Sequence, residues 1–141
     1  MDQKQSDLKQ FVEAYARHSA RRDFPTLAAQ FAETFLVAGP AGAQCVRAAD
    51  FLRVLPKRAE LFASLGCQSS ELVDMQESWL DSRYAHVRTI WRFTFRRSDT
   101  TQIVDSESIF LIDTGSEPYR ILAYLTPRDI MDTLSDRGIA A

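Results

Sequence analysis

Arg83-Tyr-Ala-His-Val-Arg-Thr-Ile-Trp-Arg-Phe-Thr-Phe-Arg-Arg97 is the stretch on which the fold turns. Its odd positions, Ala85, Val87, Thr89, Trp91, Phe93 and Phe95, are nearly all apolar. Its even ones, Tyr84, His86, Arg88, Ile90, Arg92 and Thr94, are mixed. Period two over that length predicts a strand with one buried and one amphipathic face. At ~3.4 Å per residue it would run to about 50 Å if straight. In a small domain it must therefore bend or carry a bulge.

Two further long strands flank it, Leu72–Leu80 before and Thr101–Asp113 after, and a shorter one follows at Tyr119–Leu125. The N-terminal half reads differently. Leu8, Phe11, Val12, Tyr15 and Ser19 recur at helical spacing, with Ser6 or Asp7 as cap. Phe24-Pro25 closes that helix and opens a second, whose stripe is Leu27, Phe31 and Phe35. Gly39-Pro-Ala-Gly42 is a turn, so Thr34–Ala38 and Ala43–Arg47 pair as a short hairpin. A third helix starts near Asp50, is kinked or restarted at Pro56, and stops at Gly66, which suits a left-handed cap. Thr126 as cap, Pro127 in the first turn and Asp129 as an acid of that turn open a last short helix through Ile130, Met131 and Leu134. Helices segregated from strands predict an α+β fold, with N-terminal helices packed on one face of an antiparallel sheet.

The bulk composition excludes more than it selects. The chain has 141 residues, 45% hydrophobic and 26% charged, with a net charge of −2. That is enough for one domain over residues 1–141 that buries roughly two-thirds of its unfolded surface. Scattered basic residues and a slight negative charge predict no nucleic acid and no anionic membrane as partner. No apolar run reaches the roughly 20 residues of a membrane helix, and the polar start does not read as a secretory signal. Cys45 and Cys67 lack metal or redox spacing and read as thiols of a reducing compartment. A cytoplasmic protein is the expectation. His18 and His86 are too far apart, with no cysteine beside them, to make a metal site, and no phosphate-cradling loop or dinucleotide fingerprint occurs. Neither metal nor cofactor is expected.

The element order, with Tyr84-Ala-His-Val-Arg-Thr-Ile-Trp-Arg-Phe93 as central strand and Ser108-Ile-Phe-Leu-Ile-Asp113 through Tyr119–Leu125 as final hairpin, resembles the nuclear transport factor 2-like superfamily of cystatin-like cone folds. The resemblance implies a strongly curved sheet around the helices, enclosing a cone-shaped cavity. It also implies dimers formed through the outer sheet face, and members that range from isomerases, dehydratases and cyclases to subunits and transport factors. Function must then be argued from the site.

Enzymatic members of that superfamily hold an acid–base residue inside the cone, where burial raises a carboxylic acid's pKa. By alternation, three carboxylates qualify here. Glu77 falls in the series Val73, Met75, Glu77, Trp79, and Asp105 and Glu107 fall in Ile103, Asp105, Glu107, Ile109, Leu111. One bulge moves such a set to the other face. Tyr15, Phe31, Phe35, Phe51, Trp79, Trp91 and Phe93 converge between helices and sheet as core and as pocket lining for a small apolar ligand. Tyr84, His86, Arg88, Ile90 and Arg92 face outward and form the expected homodimer strip. Two functions follow: a binding or interaction module, or an isomerase, dehydratase or cyclase using an inward carboxylate.

Overall fold

The computed structural model describes residues 2–140. In chain order the elements are α1 (Asp2–Ala20), α2 (Phe24–Ala28), β1 (Phe31–Gly39), β2 (Gly42–Arg47), α3 (Ala48–Ser64), β3 (Cys67–Trp79), β4 (Tyr84–Arg97), β5 (Thr100–Asp113), β6 (Arg120–Leu125) and α4 (Ile130–Asp136). The strands form one curled sheet in the order β2-β1-β6-β5-β4-β3. Every neighbouring pair is antiparallel except β1 with β6.

β4 is the spine of the sheet. It pairs with β5 along its whole length, from Tyr84 opposite Asp113 to Arg97 opposite Thr100, across the two-residue turn Ser98–Asp99. Its odd positions Ala85, Val87, Thr89, Trp91 and Phe95 are buried, as the alternation requires. On its other side, β3 shifts register twice, between Cys67 and Ser69 and between Leu72 and Asp74. Such bulges let a strand of this length bend around the helices.

The β4–β5 turn corrects the face assigned to β5. A two-residue turn sets odd residues of β4 opposite even residues of β5, so Val104, Ser106, Ser108, Phe110 and Ile112 share the inner face with Trp91. Asp105 and Glu107 therefore project outward, opposite Arg92 and Ile90. The odd series looked like the core face because β5 is apolar at both parities.

The helical half differs in two places from its sequence reading. The stripe Leu27, Phe31, Phe35 is not one helix, since α2 ends at Ala28 and both phenylalanines belong to β1. A spacing of four repeats one face in a helix and in a strand alike, so it does not discriminate between them. α3 runs through Pro56 without restarting, and α1 begins four residues before Ser6. α4 starts at Ile130, and Asp129 rather than Thr126 caps it, accepting from the Met131 N–H at 2.9 Å. The glycine stop of α3 agrees with the structure. Gly66 adopts φ 93° after α3. There a Cβ would lie 2.3 Å from the Arg96 carbonyl oxygen, so only glycine fits.

Two apolar clusters close the concave side. Leu8 and Val12 of α1, Leu27, Phe31, Phe35 and Leu55 pack on Ala85, Val87, Trp91, Phe110, Ile112 and Ile121. Phe62, Phe95, Val104, Leu134 and Ile139 form a second cluster, through which α4 covers one end of the sheet. Among the described residues, no helix is long and apolar enough to cross a membrane.

Candidate functional site: a cavity between the helices and the sheet

Between these clusters lies a cavity of about 300 Å³, bounded by α1, α3, the start of β3 and the inner faces of β4 and β5. Small residues opposite large ones explain why it stays open. Ser106 stands across from Trp91, and Ser70 stands across from Phe93. A serine there leaves space that a leucine or phenylalanine would fill.

The walls are aromatic. The Tyr15 ring lies 5.1 Å from Phe110 and 5.8 Å from Trp91, both tilted, and Phe110 lies 5.3 Å from Tyr124. A hydrogen-bond chain holds Trp91 in place. Its indole N–H donates to Thr89 Oγ1 at 2.8 Å, and the Thr89 hydroxyl donates to the Ser108 carbonyl at 2.7 Å. The Ser108 hydroxyl donates to the Tyr124 oxygen at 3.3 Å. Tyr15 brings a further hydroxyl close to Tyr124. Burial pushes its pKa well above the usual phenol value, the neighbouring Tyr124 adds to that shift, and Arg58 opposes it. The hydroxyl is therefore held as a neutral hydrogen-bond donor.

Among the described residues, no Asp, Glu or His lines this cavity, and its charged lining consists of Arg22 and Arg58. The expected carboxylates lie elsewhere. Asp105 accepts two hydrogen bonds from Arg92 at 2.9 and 3.0 Å on the outer face, and that pairing holds its pKa below the usual value. Glu107 pairs with Arg88 on the same face. Glu77 does face inward, opposite Val87, but under α1 in a separate open cleft lined by Gln5, Lys9 and Glu13. One of its carboxylate oxygens is buried without a protein partner, as is the Trp79 indole nitrogen.

Of the seven aromatics expected to line a pocket, the structure brings Tyr15, Trp91 and Phe93 to the cavity. Phe31, Phe35 and Phe51 instead form a packed triad with ring centres 4.4–5.3 Å apart. Trp79 lies 5.9 Å from the Lys4 ammonium, away from the cavity. Sequence reasoning missed Ser70, Ser106, Ser108, Tyr124, Arg22 and Arg58. The β5 serines escaped because strands ending at Arg97 and starting at Thr101 leave three residues between them, whereas the turn in the structure has two.

The outward strip Tyr84, His86, Arg88, Ile90 and Arg92 is half-exposed on β4. On the neighbouring strand β5, Ile103 is 53% exposed. Among the described residues, no three His, Cys, Asp or Glu side chains gather in a way that would hold a metal ion.

Solved structures share this architecture at low identity. Aln2 from a Streptomyces species superposes with a TM-score of 0.74 at 15% identity, over 98% of this chain and 97% of its own. An NTF2-like protein with a cystatin-like fold from Novosphingobium aromaticivorans gives 0.72 at 11%, over 97% and 88%. The beta subunit of the benzoate 1,2-dioxygenase from Burkholderia mallei gives 0.66 at 11%, over 90% and 91%. These likenesses show the fold alone. None of the curated proteins compared matches the chain. Residues 4–129 match the family described as NTF2-like protein (DUF6841), and the chain belongs to that family.

Proposed function

We propose that the cavity binds a small, mainly apolar ring compound through an oxygen atom set against Tyr15, Tyr124 and Ser108. The observation that carries this reading is the lining itself: aromatic walls and neutral hydroxyls, with no carboxylate or imidazole among them. A volume of about 300 Å³ is at the lower end for small-molecule sites. It corresponds to roughly ten water volumes, or one or two rings. Proton transfer by Asp105 or Glu107 gains no support, since both are engaged by arginines on the opposite face. The test is calorimetric titration with naphthol, alongside thermal melting. Saturable binding that raises the melting temperature and weakens in Tyr15→Phe is expected; no heat and no shift would refute the reading.

A second reading concerns the outer face. We infer a homodimer through Tyr84, His86, Arg88, Ile90 and Arg92, because exposed Ile103 of β5 extends this strip of tyrosine, isoleucine and arginine. In Arg88→Glu, a new carboxylate faces Glu107 across that strip. Sedimentation equilibrium should show monomers for the variant and dimers for the parent; identical mass for the two would refute the interface. A cytoplasmic setting belongs to this reading, with Cys45 and Cys67 as free thiols.

A further inference from the structure

Arg22 occupies a position that sterics reserve for glycine. α1 ends in a Schellman turn: the Asp23 N–H donates to the His18 carbonyl at 2.9 Å and the Arg22 N–H to the Ser19 carbonyl at 3.1 Å. That turn sets Arg22 in the left-handed region, at φ 56°. Glycine adopts this conformation freely, whereas a side chain incurs a steric cost. Such strain clusters where a side chain has a task. Here the side chain lines the cavity.

Arg58, on α3, lines the same cavity. Its guanidinium stacks 5.0 Å from the centre of the Phe62 ring. Arg53, Arg83, Arg88, Arg92 and Arg128 each have a carboxylate partner. Arg22 and Arg58 are among the nine arginines of the described residues that have none, and of those nine they alone line the cavity. Two exposed, unpaired cations thus stand at a cavity whose remaining lining is uncharged. A guanidinium recognises a carboxylate through paired N–H donors, which makes it selective for planar anions.

We propose that the natural occupant is an aromatic acid, its carboxylate held by Arg22 and Arg58 and its ring set among Tyr15, Trp91 and Phe93. This rests on the pocket reading above and adds the charge of the ligand. The Schellman position gives it a second support, because replacing Arg22 by glycine separates folding from binding.

The test is calorimetry with hydroxynaphthoate and the isosteric hydroxynaphthamide, on the parent, Arg58→Gln, Arg22→Gly and the double variant. In the parent, the acid should bind about tenfold tighter than the amide at low ionic strength, and less so in high salt. The preference should fall towards unity in the double variant, chiefly through loss of affinity for the acid. Arg22→Gly should melt at or above the parent's temperature and yet bind the acid less well. Equal affinity for acid and amide in the parent, or a preference that survives the double variant, overturns the assignment but leaves the apolar pocket standing. Binding of neither probe overturns both.

Discussion

Replacing Ser106 by phenylalanine should make the protein more stable while disabling its cavity. Ser106 points inward beside Trp91. About 150 Å³ is enough for a benzene ring, so a phenyl group there would take roughly half of the 300 Å³ available. Burying it contributes about 1.5–3 kcal/mol. Lost rotamer freedom offsets roughly 0.5–1 kcal/mol, and imperfect fit costs about another 1 kcal/mol. The net is about +0.5 kcal/mol, or roughly 2 °C in melting temperature for a chain of this size. Differential scanning calorimetry reads the stability, and titration with naphthol reads the binding, which should weaken at least tenfold. A melting temperature several degrees lower with unchanged affinity would refute the reasoning, because the new ring would then have entered packed core.

Other consequences follow from the same structure. Gly66→Ala places a methyl group 2.3 Å from the Arg96 carbonyl oxygen in a left-handed conformation. It should cost about 3 kcal/mol in urea unfolding, and a loss under about 1 kcal/mol would mean that the β3–β4 edge yields easily. Burial raises the Tyr15 pKa in the folded state. The unfolded chain therefore loses that proton first, near pH 10. Its contribution is complete below that pH and is lost as pH rises further, with a slope of at most about 1.4 kcal/mol per pH unit. Urea midpoints between about pH 9 and 11 should fall less steeply in Tyr15→Phe, and parallel curves would contradict the buried phenol. Glu77 lies outside the cavity, in the cleft under α1. Glu77→Gln should leave naphthol affinity unchanged in titration, whereas weakened binding would link that cleft to the cavity.

Period two in Tyr84–Arg97 was enough to place the central strand and its buried odd face, because one parity there is decisively more apolar. The same rule misplaced Asp105 and Glu107, because Ile103, Ile109 and Leu111 on one parity of β5 rival Val104, Phe110 and Ile112 on the other. Pairing across Ser98–Asp99 decides between them, and that is a relation between strands rather than a property of β5. Leu27, Phe31 and Phe35 were ambiguous for a related reason, since a spacing of four belongs to both periods. The cavity was harder still to see. It is made by what Ser70, Ser106 and Ser108 fail to fill, and by Arg22 and Arg58, which reach it from a turn and from the exposed side of α3. A spatial vacancy has no local sequence signature, although serines at inward strand positions are its nearest trace.

The most direct test of the central claim is a crystal structure of the protein with naphthol. The account predicts ring density among Tyr15, Trp91 and Phe93, with the naphthol oxygen within hydrogen-bonding distance of Tyr15 or Tyr124. Density confined to the cleft beside Glu77, or a cavity closed by rearranged side chains at saturating naphthol, would contradict it.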